Sequence, residues 1–183
     1  MTRAAGSPTL LRMQTEHIHP AVRVGHVHLR VADLDRALAF YRDALGLTVT
    51  ADGRDSGLNA AFLAAGDYHH HIALNTWSSE GGSSPPPGHT GLDHVAFVYP
   101  DARELGLAMQ RLLEHGQPIS HASDHGGTVA VYLADPDGNG VELYYDRPRA
   151  EWFGADGRFL LQATRLDYRE LLPQEQEHVR AAD

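Results

Sequence analysis

At 183 residues with 42% hydrophobic side chains, the chain is long enough for one domain, or for two small modules sharing a core. A net charge of −9 argues against a nucleic-acid partner, whose phosphates need clustered Lys and Arg, and no apolar run is long enough to span a bilayer. The absence of cysteine excludes disulfides and thiolate metal sites and fits an intracellular, cytoplasmic protein; thirteen histidines turn any metal hypothesis toward imidazole and carboxylate ligands.

In chain order, residues 1–20 lack an apolar h-region and read as a loose arm rather than a secretory signal. His26 to Val31 alternate as a strand does. Asp33 then stands in N-cap position before an amphipathic helix carrying Leu34, Leu38, Tyr41 and Leu45, which Gly46 closes. Three strand candidates follow near residues 47–52, 58–65 and 68–76. Residues 78–90, rich in Gly, Pro and Ser, form a linker. The pattern then starts again: a strand from His94 to Tyr99, Asp101 as N-cap, a helix with Leu105, Met109, Leu112 and Leu113, and Gly116 as its stop. Strand candidates near 117–121, 127–134 and 140–146 complete it. Residues 148–183 form a C-terminal extension with a short helix expected near 166–180.

The two halves are copies. His26 matches His94 and Asp33 matches Asp101, both at an offset of 68 residues, and Gly46 matches Gly116 at 70. The expected fold is therefore α+β, with two tandem β-α-β-β-β modules (21–77 and 91–147) forming one domain over 21–147, a curved mixed sheet around a metal site. Because His26 and His94 are equivalent, the duplication puts them across a pseudo-twofold axis, and Glu142 joins them from the last strand of the second module. Two imidazoles and one carboxylate can make a facial triad that leaves three positions of an octahedral ion free. Taken singly, each residue also has a plainer reading, a capped strand-start histidine or a surface glutamate.

One stretch resists a plain strand reading. "GDYHHHIALNTW" (66–77) sets three histidines at the mouth of an otherwise apolar strand, where unpartnered imidazoles are costly to bury. They fit a solvated strand end, a metal cluster or proton-transfer groups beside a metal held elsewhere.

"HVHLRVADLDRALAFYRDALGL", "GLDHVAFVYPD" and "YLADPDGNGVELYYDRP" resemble the vicinal oxygen chelate superfamily, which includes glyoxalase I, bleomycin- and fosfomycin-resistance proteins and extradiol ring-cleavage dioxygenases. The resemblance covers about residues 22–148 and implies His26, His94 and Glu142 as metal ligands. In glyoxalase-like members the first module adds a carboxylate of its own; here that position falls near Ile72 and Ala73, which cannot bind a metal. The resemblance then points to catechol 2,3-dioxygenases, with Fe(II) as cofactor (Mn, Ni or Zn being compatible) and a catecholic small molecule and dioxygen as partners. It implies an acid–base histidine three residues before the vacant position, His70. Strict alternation would instead turn His71 toward the face of Ala73, so His70 requires a bulge. Tyr132 is implied as a substrate-bonding tyrosine, with His71, His121 or His125 as further substrate contacts, and a homodimer is expected. The alternatives are another metal-dependent reaction on this scaffold, of glyoxalase, isomerase or thiol-transferase type, or a ligand-sequestering protein of the bleomycin-resistance type.

Overall fold

The structure, a computed structural model, describes residues 17–174; most of the expected arm and the last part of the expected C-terminal helix lie outside the described residues. The first strand, β1 (Val27–Arg30), buries Leu29 inward and turns His28 and Arg30 outward, the alternation of a half-buried strand. Asp33 caps helix α1 (Leu34–Leu38) by accepting from the Arg36 amide at 2.9 Å. The helix then widens into a π-helical segment, Ala39–Ala44, that buries both Phe40 and Tyr41. Its widening shows in the Leu45 amide reaching back five residues to the Phe40 carbonyl, 2.8 Å away. Strands β2 (Thr48–Asp52), β3 (Ala60–Ala64) and β4 (Ile72–Asn75) complete the first module. The second comprises β5 (His94–Tyr99), helix α2 (Ala102–Glu114), capped by Asp101, and strands β6 (His121–Gly126), β7 (Thr128–Ala134) and β8 (Gly140–Asp146).

The architecture is α+β, with one mixed sheet per module. The first has strand order β1-β4-β3-β2 and the second β5-β8-β7-β6, extended by a fifth strand, β9 (Leu161–Leu166). In both, the first strand runs parallel to the last and every other pair is antiparallel. Each module thus contributes its own mixed sheet, with β1 and β5 each standing at an open edge.

Two local expectations are corrected. The strand expected near 117–121 begins at His121 instead, because Pro118 has no amide to give a ladder. Over its described residues the extension does not form the helix expected near 166–180: it forms β9 and a 3-10 turn, Tyr168–Leu171. Almost every side chain of β9 is exposed, so no apolar periodicity announces it, and its order comes from the ladder with β6. No described helix is long and apolar enough to cross a membrane.

The modules are joined through their helices. Phe40, Tyr41, Leu63 and Ile72 from the first share one apolar cluster with Leu105, Met109, Leu112 and Leu143 from the second. Arg111 donates to the Ala44 and Leu45 carbonyls at the end of the π-helical segment. Gly46, at φ +90°, lies so close beneath the Arg111 guanidinium that a Cβ there would meet it at 2.7 Å. The "DPDGN" turn is the second clasp. The Tyr41 phenol donates to buried Asp135 at 3.0 Å, and Arg36 pairs with Asp137 at 2.6 Å. Asp135 also accepts from the Asp137 and Asn139 amides, so this one carboxylate shapes the turn and ties it to the other module. Burial and the adjacent Asp135 push the Tyr41 phenol far above its ordinary range.

Removing that donor leaves a buried carboxylate short of a partner, so Tyr41→Phe should lower unfolding free energy by about 1–3 kcal/mol in urea titrations. An unchanged midpoint would show that the clasp adds nothing to stability.

Candidate metal centre

Of the expected ligands, His26 stands just before β1, His94 opens the equivalent strand β5, and Glu142 lies on β8. The registers pair Val27 with Ile72 and His28 with Ala73 in the first module, and Val95 with Val141 and Ala96 with Glu142 in the second. The residue equivalent to Glu142 is therefore Ala73, not Ile72, and the first module offers no carboxylate there. Gly140 lets the second module draw its ligand strand in closely. It pairs with His94, and a Cβ there would stand 2.1 Å from the Asp93 carbonyl.

On the second sheet the candidate groups converge. His94 Nε2 lies 2.9 Å from Glu142 Oε2, and His94 Nδ1 lies 2.8 Å from Asp93 Oδ2. A carboxylate can only accept, so Nδ1 with its proton toward Asp93 leaves the Nε2 lone pair facing Glu142. Two lone pairs at that separation repel unless a proton or a cation stands between them. The Tyr132 hydroxyl donates to Glu142 Oε1 at 2.9 Å and lies 2.9 Å from His125 Nε2. His125 Nδ1 sits 2.9 Å from the Gln162 carbonyl on β9. That carbonyl only accepts, so Nδ1 bears the hydrogen and Nε2 of a neutral ring competes with Glu142 for the single Tyr132 proton. Burial first, and the Glu142 bond second, push the Tyr132 phenol well above its ordinary range. His121 stacks flat on the Tyr132 ring, centroids 4.5 Å apart and planes 12° from parallel.

On the first sheet the histidines gather around His26. The His70 ring lies 4.5 Å from His26 and 5.2 Å from Phe62, and His69 Nδ1 is 2.8 Å from His70 Nδ1. Phe62 is the register partner of Ala73, so His70 stands on the face of the missing carboxylate. The chain bends at His69 and His71 before β4 begins at Ile72, and this irregular approach provides the departure from strict alternation that His70 needs. Desolvation and the surrounding imidazoles, His26 foremost, hold His70 below the ordinary histidine range. His71 turns away: its Nδ1 accepts from the Ala65 amide, and its ring lies tilted against Tyr68 in a separate groove with Arg23, Val24 and Asp67. His28 lies beside His26's face but is engaged by Asn75 at 2.8 Å.

The two gatherings do not meet. His94, Glu142, Tyr132, His121 and His125 form one group, and His26 and His70 form another. Among the described residues, no three His, Asp or Glu side chains stand close enough to hold an ion. The clasp explains the gap. The Ala32 amide, just past the end of β1, donates to Asp137, three residues before Gly140 and its partner His94. His26 lies at the opposite end of β1, roughly 20 Å from Ala32 at the usual strand rise. The residue types suit a divalent transition metal, but their placement in one chain does not.

Sequence reasoning overlooked Asp93, Gln162 and Phe62. Asp93 had a signal, since the repeat sets it against Gly25, a change of residue type next to a candidate ligand. Gln162 had none, because it acts through its backbone from a strand without apolar pattern.

Comparison with known proteins agrees with the duplicated modules. Residues 23–143 match the Glyoxalase/Bleomycin resistance protein/Dioxygenase superfamily. The chain is 36% identical over 166 residues to a catechol-2,3-dioxygenase of Bacillus subtilis, covering 85% of this chain and 53% of that protein. It is 32% identical over 126 residues to a biphenyl-2,3-diol 1,2-dioxygenase of Rhodococcus globerulus, covering 68% of this chain and 63% of the other. The chain thus spans about half to two thirds of the length of these relatives. Among solved structures, a lactoylglutathione lyase of Agrobacterium tumefaciens superposes with a TM-score of 0.52 at 28% identity, over 69% of this chain and 96% of that one. The matched family, the identity to its dioxygenases and the twice-repeated β-α-β-β-β order together establish that this chain belongs to the glyoxalase/bleomycin resistance/dioxygenase superfamily.

Proposed function

We propose that the protein is an Fe(II)-dependent extradiol dioxygenase-like enzyme that opens the ring of a catecholic small molecule. The observation that carries the reading is the strand register: the residue equivalent to Glu142 is Ala73. The ligand set of the duplicated modules is then two histidines and one carboxylate, His26, His94 and Glu142. Such a set would hold a divalent metal while leaving room at it for a vicinal diol and dioxygen, and the metal would supply the chemistry that activates both. The likeness to two dioxygenases acting on vicinal diols supports the same reading.

Within this proposal the chain's own groups have distinct tasks. His70, beside His26 and free of any carboxylate partner, manages a proton at the reacting oxygen as general acid–base. Tyr132, held by Glu142 and His125, presents its hydroxyl to a substrate oxygen and stabilises charge that develops there. His121, flat against Tyr132, keeps that ring in place and widens the polar wall.

Protein reconstituted with Fe(II) under nitrogen, then given a panel of catechols and air, should consume oxygen and form a yellow ring-opened product. Iron uptake without oxygen consumption across the panel would reject the activity and leave the family assignment intact. For the acid–base role, His70→Gln should reduce kcat by about 10²–10⁴-fold, whereas His71→Gln, in its separate groove, should stay within a few-fold of wild type. Equal losses in both variants would contradict the assignment. Tyr132→Phe should cost about 10²-fold in kcat while retaining bound metal; loss of the metal instead would make the tyrosine a support for Glu142.

A further inference from the structure

The extension brings to the wall of the second sheet a cation that the repeated modules do not supply. Strand β9 lies beyond residues 23–143, the stretch matched to the family. It is held on β6 by more than its ladder: Ser123 Oγ donates to the Thr164 carbonyl at 3.4 Å, and His125 Nδ1 donates to that of Gln162 at 2.9 Å. Register decides which side chains share a face, since residues paired across neighbouring strands point the same way. Glu142 pairs with Tyr132 and Tyr132 with His121; one row on, Ser123 pairs with Arg165. Arg165 therefore stands on the face that carries Tyr132 and Glu142, two strands from the tyrosine, roughly 10 Å backbone to backbone.

A cleft of about 450 Å³ opens along this face, lined by His121, Ser123, His125, Tyr132, Ala163 and Arg165 among others. Hydroxyls, imidazoles and a guanidinium face it, and no described carboxylate lines it. The other described arginines of the extension are engaged: Arg158 pairs with Asp156, Arg169 with Asp167, and Arg149 lies over the Trp152 ring. Among the described residues Arg165 has no carboxylate partner; Asp167, two residues on, is taken by Arg169 at 2.9 Å, and Asp124 by Arg147 at 2.6 Å. In a chain of net charge −9, a guanidinium left free at such a cleft, with the nearby carboxylates bound elsewhere, favours an anion there.

We infer that Arg165 reads an anionic side arm of the substrate: the diol lies at the Tyr132 and Glu142 end of the cleft, and a carboxylate on a short arm from the ring reaches the guanidinium. A carboxylate matches the guanidinium fork in a bidentate pair, which gives direction as well as attraction. His121, flat on the Tyr132 ring, forms the wall between the two ends. The substrate class narrows from catechols to catechols bearing an acid on the arm, and Arg165 selects among them without touching the reacting atoms. The inference rests on the proposed reading of Tyr132 as the residue that meets the diol, but not on the ring opening that would follow.

A matched pair of ligands separates charge from shape. 3-(3,4-Dihydroxyphenyl)propionate and its primary amide are titrated calorimetrically, under nitrogen, into protein loaded with redox-inert Zn(II), so that neither is turned over. Wild type should bind the acid at least about tenfold more tightly than the amide. Arg165→Gln should remove that preference by weakening the acid alone, and Arg165→Lys should restore part of it. Arg169→Gln, whose guanidinium serves Asp167, should keep it. Arg165 is exposed, so these substitutions leave the core untouched, and thermal melts matching wild type check this. Equal affinity for acid and amide in wild type overturns the inference, as does a preference that survives in Arg165→Gln. If neither compound binds, the diol reading of the site falls together with it. An acid preference that depends on Arg165, without oxygen consumption after Fe(II) loading, keeps the inference and rejects the ring-opening activity.

Discussion

The buried bond from Tyr41 to Asp135 is the contact on which the rest of the structure depends. It fastens a helix of the first module to the turn that launches the last strand of the second. A carboxylate nearly cut off from water needs every donor it has, and Asp135 receives them from both modules. The "DPDGN" turn thus acts as a hinge pin as well as a family mark. It sets the helices face to face and leaves the faces that carry His26, His94 and Glu142 turned outward.

From that orientation follows the division of chemistry. The second sheet holds a chain of shared protons from the Gln162 carbonyl through His125 and Tyr132 to Glu142. The first holds a cluster of imidazoles without a carboxylate, in which desolvation first and the His26 imidazole second hold His28 and His70 below the ordinary histidine range. One half is rich in carboxylate acceptors, and the other in imidazole nitrogens. The extension beyond the second module contributes to this chemistry, because β9 fixes the His125 tautomer through a backbone carbonyl and covers what would otherwise be the far edge of the sheet.

Much of the fold was legible because duplication doubles every signal. Asp33 and Asp101 both cap helices, Gly46 and Gly116 both end them with positive φ, and the alternation of β1 and β5 was plain in both copies. Of the candidate site, the residue types and their strand positions were legible, including the way His70 departs from strict alternation. What could not be read was the relation between modules. A repeat specifies equivalent positions but not which faces are turned toward each other, since that depends on Tyr41, Arg36 and Arg111, which look like ordinary helix residues. The pattern likewise could not reveal β9, whose exposed side chains are held only by the ladder, or the π-helical turn, whose widening answers the need to bury Phe40 and Tyr41 together.

The account therefore stands on which side chains serve as ligands. An anaerobic crystal structure of the protein with its metal bound answers this directly. It should show the ion held by His26, His94 and Glu142, with no carboxylate reaching it from the position of Ala73. An ion held by other side chains, or one whose coordination is completed by further protein groups, would contradict it.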